Sequence, residues 1–298
     1  MDLENTKRKK RMSDSNKKKI YLLATIRNCA RYLEHIFKNI DSLYQFHDVH
    51  CIFVYDNCTD NSADLLRNYS KKHPDTITIE ELESNNSPLR TVRIAVGRNR
   101  CLEIMETKED TMAKHFIMLD MDDVNVKPWK MQVINNYLDN FDNDDWDAIS
   151  FSREPYYDIW ALMIDDFYHH VWGFGPWSPH LVKYMKDYMK IKINICQTNS
   201  FPCRSAFNGF AIYKTEKFKN IRYDGTFSNF EKNNFISVEE KKKCLEKYKR
   251  YTKNPAIVMK QCSLPFLKED EHCEHLFFHN MAIQKNNAVI KISKLSIL

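Results

Sequence analysis

The chain has 298 residues and a net charge of +5, and the whole excess lies in residues 1–19, which hold eight Lys or Arg and three Asp or Glu. The remainder is neutral, which argues against specific recognition of nucleic acid. We interpret residues 1–19 as a disordered basic leader that makes at most peripheral, salt-sensitive contact with a membrane surface, and residues 20–298 as a single domain.

The leader lacks the apolar core of a signal peptide, and no later segment is apolar for the length needed to span a bilayer. Nine cysteines are scattered without CxxC pairs, which fits reduced thiols better than a disulfide framework. These features predict a soluble, cytoplasmic protein and exclude a disulfide-stapled secreted domain.

The first half of the chain alternates apolar strand patterns with helical ones. Apolar, β-branched runs predict strands over 20–26, 50–55, 76–80 and 116–119. Helical patterns follow the first three, over 28–46, within 56–70 after a polar turn, and over 92–105. Such alternation implies an α/β fold with a mostly parallel, Rossmann-like central sheet flanked by helices. With only five glycines, the chain contains neither GxGxxG nor GxxxxGK[ST], so dinucleotide oxidoreductases and P-loop NTPases are not expected.

The fourth predicted strand ends in the sequence DMDD, which places Asp120, Asp122 and Asp123 at one point. Carboxylates this close resist joint ionisation unless a cation, a proton or solvent offsets their charge. One interpretation is a solvated acidic turn. The other is a metal or ligand site, because open α/β sheets bind ligands at the carboxyl ends of their strands, and hard oxygen ligands suit Mg²⁺ or Mn²⁺.

The second half is less regular. Aromatic residues in 151–200, next to Gly and Pro, fit either a pocket lid or a cap on the sheet. Residues 201–218 predict a loop whose Asn208 and Gly209 lead into a further strand, and 219–256, rich in Lys, Asn and Glu, predict a surface excursion. The C-terminal tail is a candidate for a last strand.

Two histidines near the C-terminus lie one helical turn apart, His275 and His279, on one face if the segment is helical. A zinc protease is not indicated, because Leu276 stands where HExxH requires Glu. A structural zinc site that adds His272 and Cys273 stays open, although the spacing matches no standard zinc pattern.

The order of several motifs resembles GT-A glycosyltransferases, in particular the fungal capsule-type mannosyltransferases of glycosyltransferase family 69 and their relatives. The pieces are ATIRNCARYL, VYDNCTDNSADLL, RIAVGRNRCLE, FIMLDMDD, YYDIWAL, FNGFAIY and CEHLFFHNMA, and they span about residues 20–285. Each motif alone is weakly specific for the family, and the occurrence of several motifs in the same order is much more specific. The abundance of Lys, Asn and Ile also resembles products of AT-rich genomes, such as those of large DNA viruses.

The resemblance implies a nucleotide-binding half over 20–125, an acceptor-binding half over 126–298, and a sugar transfer that uses Mn²⁺ or Mg²⁺. The donor would be a UDP- or GDP-linked sugar and the acceptor a glycan or glycoconjugate. Metal ligands are expected at Asp120, Asp122, His275 and His279, and catalytic carboxylates at Glu274 and, second, Asp270. Substrate-binding residues are expected at Thr25, Arg27, Asp56, Arg93, Arg98, Asn99, Asp120, Asp123, Asn208 and Gly209.

Plainer roles compete with these assignments. Asp56 can cap a helix, the arginines can form ion pairs on a solvated helix face, and Glu274 can be surface charge. A nucleotidyltransferase would also use an α/β sheet with an acidic metal site, but it usually carries a glycine-rich signature near the first strand, where LLATIRNCARYL has none. A catalytically inactive relative that only binds ligand is the other alternative. The resemblance to family 69 suggests retention of the anomeric configuration, but the sequence itself leaves inversion or retention open.

Overall fold

A computed structural model describes residues 17–83, 86–108, 113–139, 145–165, 167, 179–251 and 270–298. Its strands are β1 (Lys19–Ile26), β2 (Asp48–Asp56), β3 (Ile77–Leu82), β4 (His115–Asp120), β5 (Ala148–Phe151), β6 (Ser200–Cys203), β7 (Phe210–Lys214) and β8 (Ile290–Ser293). Its helices are α1 (Ala30–Phe46), α2 (Ser62–Ser70), α3 (Arg90–Glu106), α4 (Met131–Asp139), α5 (Pro179–Ile195), α6 (Thr215–Phe218), α7 (Phe227–Lys232), α8 (Val238–Tyr251) and α9 (Glu274–Asn286).

The described strands form one sheet in the order β3-β2-β1-β4-β7-β5-β8-β6. The first four neighbours run parallel, β7 runs antiparallel to both β4 and β5, and β8 is parallel to β5 and antiparallel to β6. The predicted α/β fold, with a mostly parallel central sheet and flanking helices, is therefore confirmed.

Both faces of the central strands are covered, which explains their continuous apolar runs. In β4, Phe116 and Met118 pack into one apolar cluster with α3 and α9, whereas Ile117 and Leu119 pack into a second cluster with α1 and α4. All four side chains are buried. The sequence FIML thus reflects a strand with helices on both sides.

The second half departs from the sequence prediction in two places. Residues 201–218 were expected to form a loop before a strand; β7 does follow Gly209, but β6 already occupies Ser200–Cys203. Strand β6 accommodates Pro202, which has no N–H to donate, because it is the edge strand of the sheet. The predicted surface excursion over 219–256 instead contributes α7 and α8, with Phe230 and Cys244 in the core.

Residues 1–16 of the predicted leader, and residues 166 and 168–178 of the aromatic region 151–200, lie outside the described residues. The fold begins earlier than expected, since Lys19 starts β1 and the Lys18 ammonium donates to the Leu138 carbonyl at 2.9 Å. The tail forms β8 as predicted. Among the described residues, no helix combines the length and apolarity that a bilayer crossing requires.

Candidate active site

The switch point of the sheet lies between β1 and β4, because the chain proceeds from β1 to β2 and β3 on one side and returns with β4 on the other. A cleft of about 510 Å³ opens there, and Thr25 of β1, Asp56 of β2 and Asp120 of β4 line it. Each of these residues is at or next to the carboxyl end of its strand. Ligands of open α/β sheets bind at this position.

Both signs of charge are concentrated in the cleft. Its carboxylates are Asp56, Asp120, Asp122, Asp123, Asp158 and Glu274, and its arginines are Arg27, Arg31, Arg90, Arg93 and Arg98. Helix α3 can approach the sheet closely because position 97 is glycine, where a Cβ would lie 2.8 Å from the Thr25 methyl group. This close approach brings Arg98 to the end of β4.

Arg98 is the centre of the buried side of the cleft. Its side chain is 4% exposed, Nη2 donates to Asp120 Oδ1 at 2.8 Å, and Nη1 contacts both Glu274 Oε1 and His275 Nε2. A guanidinium only donates, so His275 Nε2 accepts and the ring is neutral with its hydrogen on Nδ1. We call Arg98, Asp120, Glu274 and His275 the buried wall.

Aromatic rings enclose the buried wall. The His275 ring stacks on Phe207 with a centroid distance of 3.8 Å, and the Arg98 guanidinium lies 4.8 Å from the centre of the Phe207 ring. Burial, together with the charge of Arg98, holds the pKa of His275 well below its usual value. The low polarity of this surrounding strengthens the attraction of Arg98 for the two carboxylates.

A second part of the cleft lining is exposed and basic. Arg27 lies 3.4 Å from Asp56, and Arg93 contacts the Ser87 carbonyl oxygen. Arg27, Arg31 and Arg90 are all exposed. We call Arg27, Arg31, Arg90 and Arg93 the open wall. Its guanidinium groups match the geometry of phosphate oxygens.

Asp120 of the buried wall and Asp122, two residues after it, both line the cleft. Burial raises the pKa of Asp120 to about 7; the charge of Arg98 opposes the shift, and Asp122 adds to it. Burial also raises the pKa of Asp122, against a hydrogen bond from the Val124 amide. The structure therefore places the Asp120 and Asp122 carboxylates in a partly desolvated part of the cleft.

A divalent cation is compatible with this pair. One oxygen of each carboxylate is engaged, by Arg98 and by the Val124 N–H at 3.2 Å, and within the described ranges their other oxygens take no hydrogen bond. The described residues contain no group of three His, Cys, Asp or Glu side chains that would hold a metal ion. Mg²⁺ commonly binds one or two carboxylates and completes its shell with substrate phosphates and water, so two aspartates fit.

The two histidines predicted as metal ligands, His275 and His279, have other partners in the structure. His275 Nε2 is engaged by Arg98, as described above. His279 is fully buried, and its ring nitrogens contact the Ser205 hydroxyl at 2.8 Å and the Tyr213 hydroxyl at 3.1 Å. His279 does not line the cleft, and the four-residue zinc site with His272 and Cys273 is not assembled. We therefore confine the metal proposal below to Asp120 and Asp122.

Four further residues predicted to be catalytic or to bind substrate do not line the cleft and instead have structural roles in the backbone: Asp270, Asn99, Gly209 and Asn208. The Asp270 carboxylate, predicted as a second catalytic candidate, accepts from the Ser228 amide at 2.7 Å, at the start of α7. Asn99 bonds to the backbone N–H and carbonyl of Tyr223. Gly209 has φ +87°, and a Cβ there would lie 2.6 Å from Val124.

The fourth is Asn208, whose amide joins β5 to the segment that follows it. Its Oδ1 accepts from the backbone N–H groups of Tyr157 and Asp158, at 3.1 and 2.9 Å, and its Nδ2 donates to the Phe151 carbonyl. The predicted residues that do line the cleft are Thr25, Arg27, Asp56, Arg93, Arg98, Asp120, Asp122, Asp123, Glu274 and His275.

Sequence reasoning missed Asp158, Arg31 and Arg90 as cleft residues. Asp158 lies in the YYDIWAL motif, so the signal was present, but nothing in the spacing indicated that this segment returns to the end of β4. Burial raises the pKa of Asp158 to about 6, and Glu274 adds to the shift.

Comparisons with known proteins are weak in sequence and partial in structure. No protein-family model matches the chain, and no curated protein is similar to it. Among solved structures, Staphylococcus aureus TarS residues 1–349 match with a TM-score of 0.38 and 13% identity, covering 77% of this chain and 55% of that one. The mannosyltransferase PcManGT from Pyrobaculum calidifontis, in complex with GDP-Man and Mn²⁺, matches with a TM-score of 0.39, 13% identity and coverages of 74% and 55%.

Glucosyl-3-phosphoglycerate synthase of Mycobacterium tuberculosis gives a TM-score of 0.38 at 8% identity and covers 70% of this chain. The match covers only 55–61% of the length of these three solved chains. TM-scores and identities this low establish neither a family nor an activity. Family 69 membership and a viral source stay predictions, and the function proposed below rests on the residues of the cleft.

Proposed function

We propose that the chain is a metal-dependent glycosyltransferase, which moves a sugar from a UDP- or GDP-linked donor to a hydroxyl group of a glycan or glycoconjugate. One observation carries the proposal: the carboxylates of the DMDD segment and the arginines of the open wall converge at the switch point of the sheet. The chain has no glycine-rich loop to hold phosphates, so these charges are the groups available for a diphosphate.

The motif order supports a sugar nucleotide over other nucleotides, because the resemblance to GT-A enzymes runs through the segments that line the cleft. Residues 20–125 would bind the nucleotide, with Asp56 holding the nucleoside and Arg93 and Arg90 facing the diphosphate. Residues 126–298 would bind the acceptor. Asp123, exposed at the end of β4, is suited to a sugar hydroxyl.

Asp120 and Asp122 would hold Mn²⁺ or Mg²⁺, and the bound ion would offset the charge of the departing diphosphate. Arg98 keeps Asp120 in one orientation through its 2.8 Å hydrogen bond. The enclosing Phe207 ring limits the access of water to this side of the cleft. The open wall binds the phosphates and thereby fixes the direction in which the leaving group departs.

The test is thermal unfolding with UDP, GDP and their common sugar conjugates, each with and without Mn²⁺. We expect a rise in melting temperature for one nucleotide series that depends on the metal. Asp122→Ala removes a metal ligand without emptying the core, so it should unfold cooperatively and lose the rise. Asp187→Ala, an exposed aspartate on α5, is the matched control and should keep it.

Each other outcome has a specific meaning. An Asp122→Ala protein that keeps the metal-dependent rise would contradict the metal site. A rise that needs no metal would contradict metal dependence alone. If no nucleotide raises the melting temperature, the cleft is not a nucleotide-sugar site.

A further inference from the structure

Glu274, the carboxylate expected to act in catalysis, is the less available of two carboxylates on the acceptor side of the cleft. Its side chain is 7% exposed, and Oε1 contacts the Arg98 guanidinium and lies 3.9 Å from His275 Nε2. A carboxylate that forms an ion pair with a buried guanidinium has an oxygen already committed to that partner. Taking a proton from a substrate would weaken this ion pair, which also orients Asp120.

Asp158 lies in the same cleft and has a different set of partners. One carboxylate oxygen accepts from the Ala161 amide at 3.1 Å, and in the described part of the chain its side chain has no ion pair. Its backbone is fixed through the Asn208 amide at 2.9 Å. The backbone N–H of Asn208 also interacts with the carboxylate, so neutral N–H groups of the backbone hold it in a defined place in the cleft.

We infer that Asp158 is the catalytic base of the transfer, an inference that rests on the proposed function. The acceptor hydroxyl oxygen bonds to the anomeric carbon as its proton passes to the carboxylate of Asp158. The bond from the anomeric carbon to the diphosphate oxygen breaks, and that oxygen leaves with the electron pair.

The surroundings of Asp158 suit a group that takes up a proton near neutral pH. Burial raises its pKa to about 6, Glu274 acts in the same direction, and Arg98 opposes both. The other titratable groups that interact with it are Asp120, Cys273, Tyr156 and Tyr157. A base is most effective when its pKa lies close to the working pH.

This role has a stereochemical consequence. A protein base serves an acceptor that attacks from the face opposite the leaving group, whereas retention can leave the proton to the departing phosphate. Asp158 as base therefore predicts inversion at the anomeric carbon. The neighbouring Tyr157 ring is 46% exposed and provides an apolar surface against which a sugar acceptor can pack.

The experiment compares wild type, Asp158→Asn, Glu274→Gln and the exposed control Asp187→Asn. The probes are GDP-mannose, UDP-glucose and UDP-N-acetylglucosamine with Mn²⁺, with water and methyl α-mannoside as acceptors. Donor binding is measured by calorimetry, turnover by released nucleoside diphosphate, and the anomer first formed by NMR. Asparagine preserves the hydrogen bond from Ala161, and the melting temperature checks that the fold is kept.

We expect Asp158→Asn to bind the donor as wild type does and to lose about 100-fold or more in kcat. The wild-type rate should rise with pH through about 6, and this rise should be absent in Asp158→Asn. Asp158→Glu keeps a carboxylate and should retain the rise at reduced kcat. Asp187→Asn should match wild type.

Three results would overturn the inference. One is a kcat of Asp158→Asn within tenfold of the wild-type kcat. Another is a product with the donor's anomeric configuration. The third is loss of the pH-dependent rise in Glu274→Gln but not in Asp158→Asn. Absence of donor binding in wild type would instead overturn the proposed function itself, and the inference with it.

Discussion

The two walls of the cleft use the same residue type in opposite ways. In the buried wall, Arg98 is 4% exposed and is already engaged by Asp120 and Glu274. In the open wall, Arg27 is 45% exposed at its side chain, and its pair with Asp56 is long, at 3.4 Å. The Arg98 guanidinium therefore neutralises buried carboxylates of the folded protein, whereas the Arg27 guanidinium is accessible to a ligand.

This contrast separates stability from binding within a single site. A buried cation that neutralises two carboxylates cannot be removed without leaving their charge uncompensated. An exposed arginine contributes little to folding but gains from a phosphate that replaces water. Changes in the buried wall should therefore alter the free energy of unfolding, and changes in the open wall should alter donor affinity.

The largest effect is expected for Arg98→Met. It leaves Asp120 and Glu274 buried without their cation, so the free energy of unfolding should fall by about 3–5 kcal/mol. Urea unfolding measures it. Arg100→Ala, two residues along the same helix in a half-exposed pair with Glu80, is the control and should cost less than about 1 kcal/mol.

A double variant sharpens this result. Adding Glu274→Gln to Arg98→Met removes one of the uncompensated charges, so part of the lost stability should return. If the double variant instead loses the sum of the stabilities lost by Arg98→Met and by Glu274→Gln, the two residues are not coupled. That result would contradict the charge balance described for the buried wall.

A smaller effect is expected from acid. Burial lowers the pKa of His279 to about 3, below its unfolded value of 6.5, so the unfolded chain binds the proton more tightly. The stability that this neutral histidine contributes is complete above pH 6.5 and declines as pH falls toward 3, by up to about 1.4 kcal/mol per pH unit.

Urea unfolding at pH 7.5, 6.5 and 5.5 measures this decline. His279→Asn should be less stable at pH 7.5, because it loses contacts to Ser205 and Tyr213, and its stability should fall less steeply with acid. An unchanged slope in His279→Asn would show that His279 does not contribute to the decline.

The smallest effect on folding, with a clear effect on binding, is expected in the open wall. Arg93→Ala and Arg90→Ala should each weaken donor binding by about 1.5 kcal/mol, or roughly tenfold, with the loss reduced at high salt. Their unfolding curves should match wild type closely. Arg100→Ala again serves as the control and should bind donor normally. Unchanged donor affinity in both variants would contradict a diphosphate on this wall.

The sequence predicted the parallel half of the sheet well because its signals are local. Each of β1, β2 and β4 is an apolar run followed by polar residues, and their parallel arrangement alone brings Asp56 and Asp120 to one edge. The DMDD cluster was found for the same reason.

The remaining assignments depended on long-range contacts that no spacing encodes. Glu274 meets Arg98 across 176 residues of sequence, and that contact decides whether it is a free carboxylate or part of an ion pair. His279 and Asn208 carry chemically capable side chains, but tertiary packing uses them to bond Tyr213 and the backbone after β5. Asp158 became a candidate only when the fold placed its loop beside β4.

The most direct test of the account is a calorimetric titration of UDP and GDP into wild type and Asp122→Ala, with and without Mn²⁺. We expect one nucleotide to bind wild type in the presence of Mn²⁺, and binding to weaken strongly both when the metal is omitted and when Asp122 is replaced. Binding that is indifferent to the metal and to Asp122, or no binding of either nucleotide, would contradict a metal-assisted nucleotide-sugar site at the end of β4.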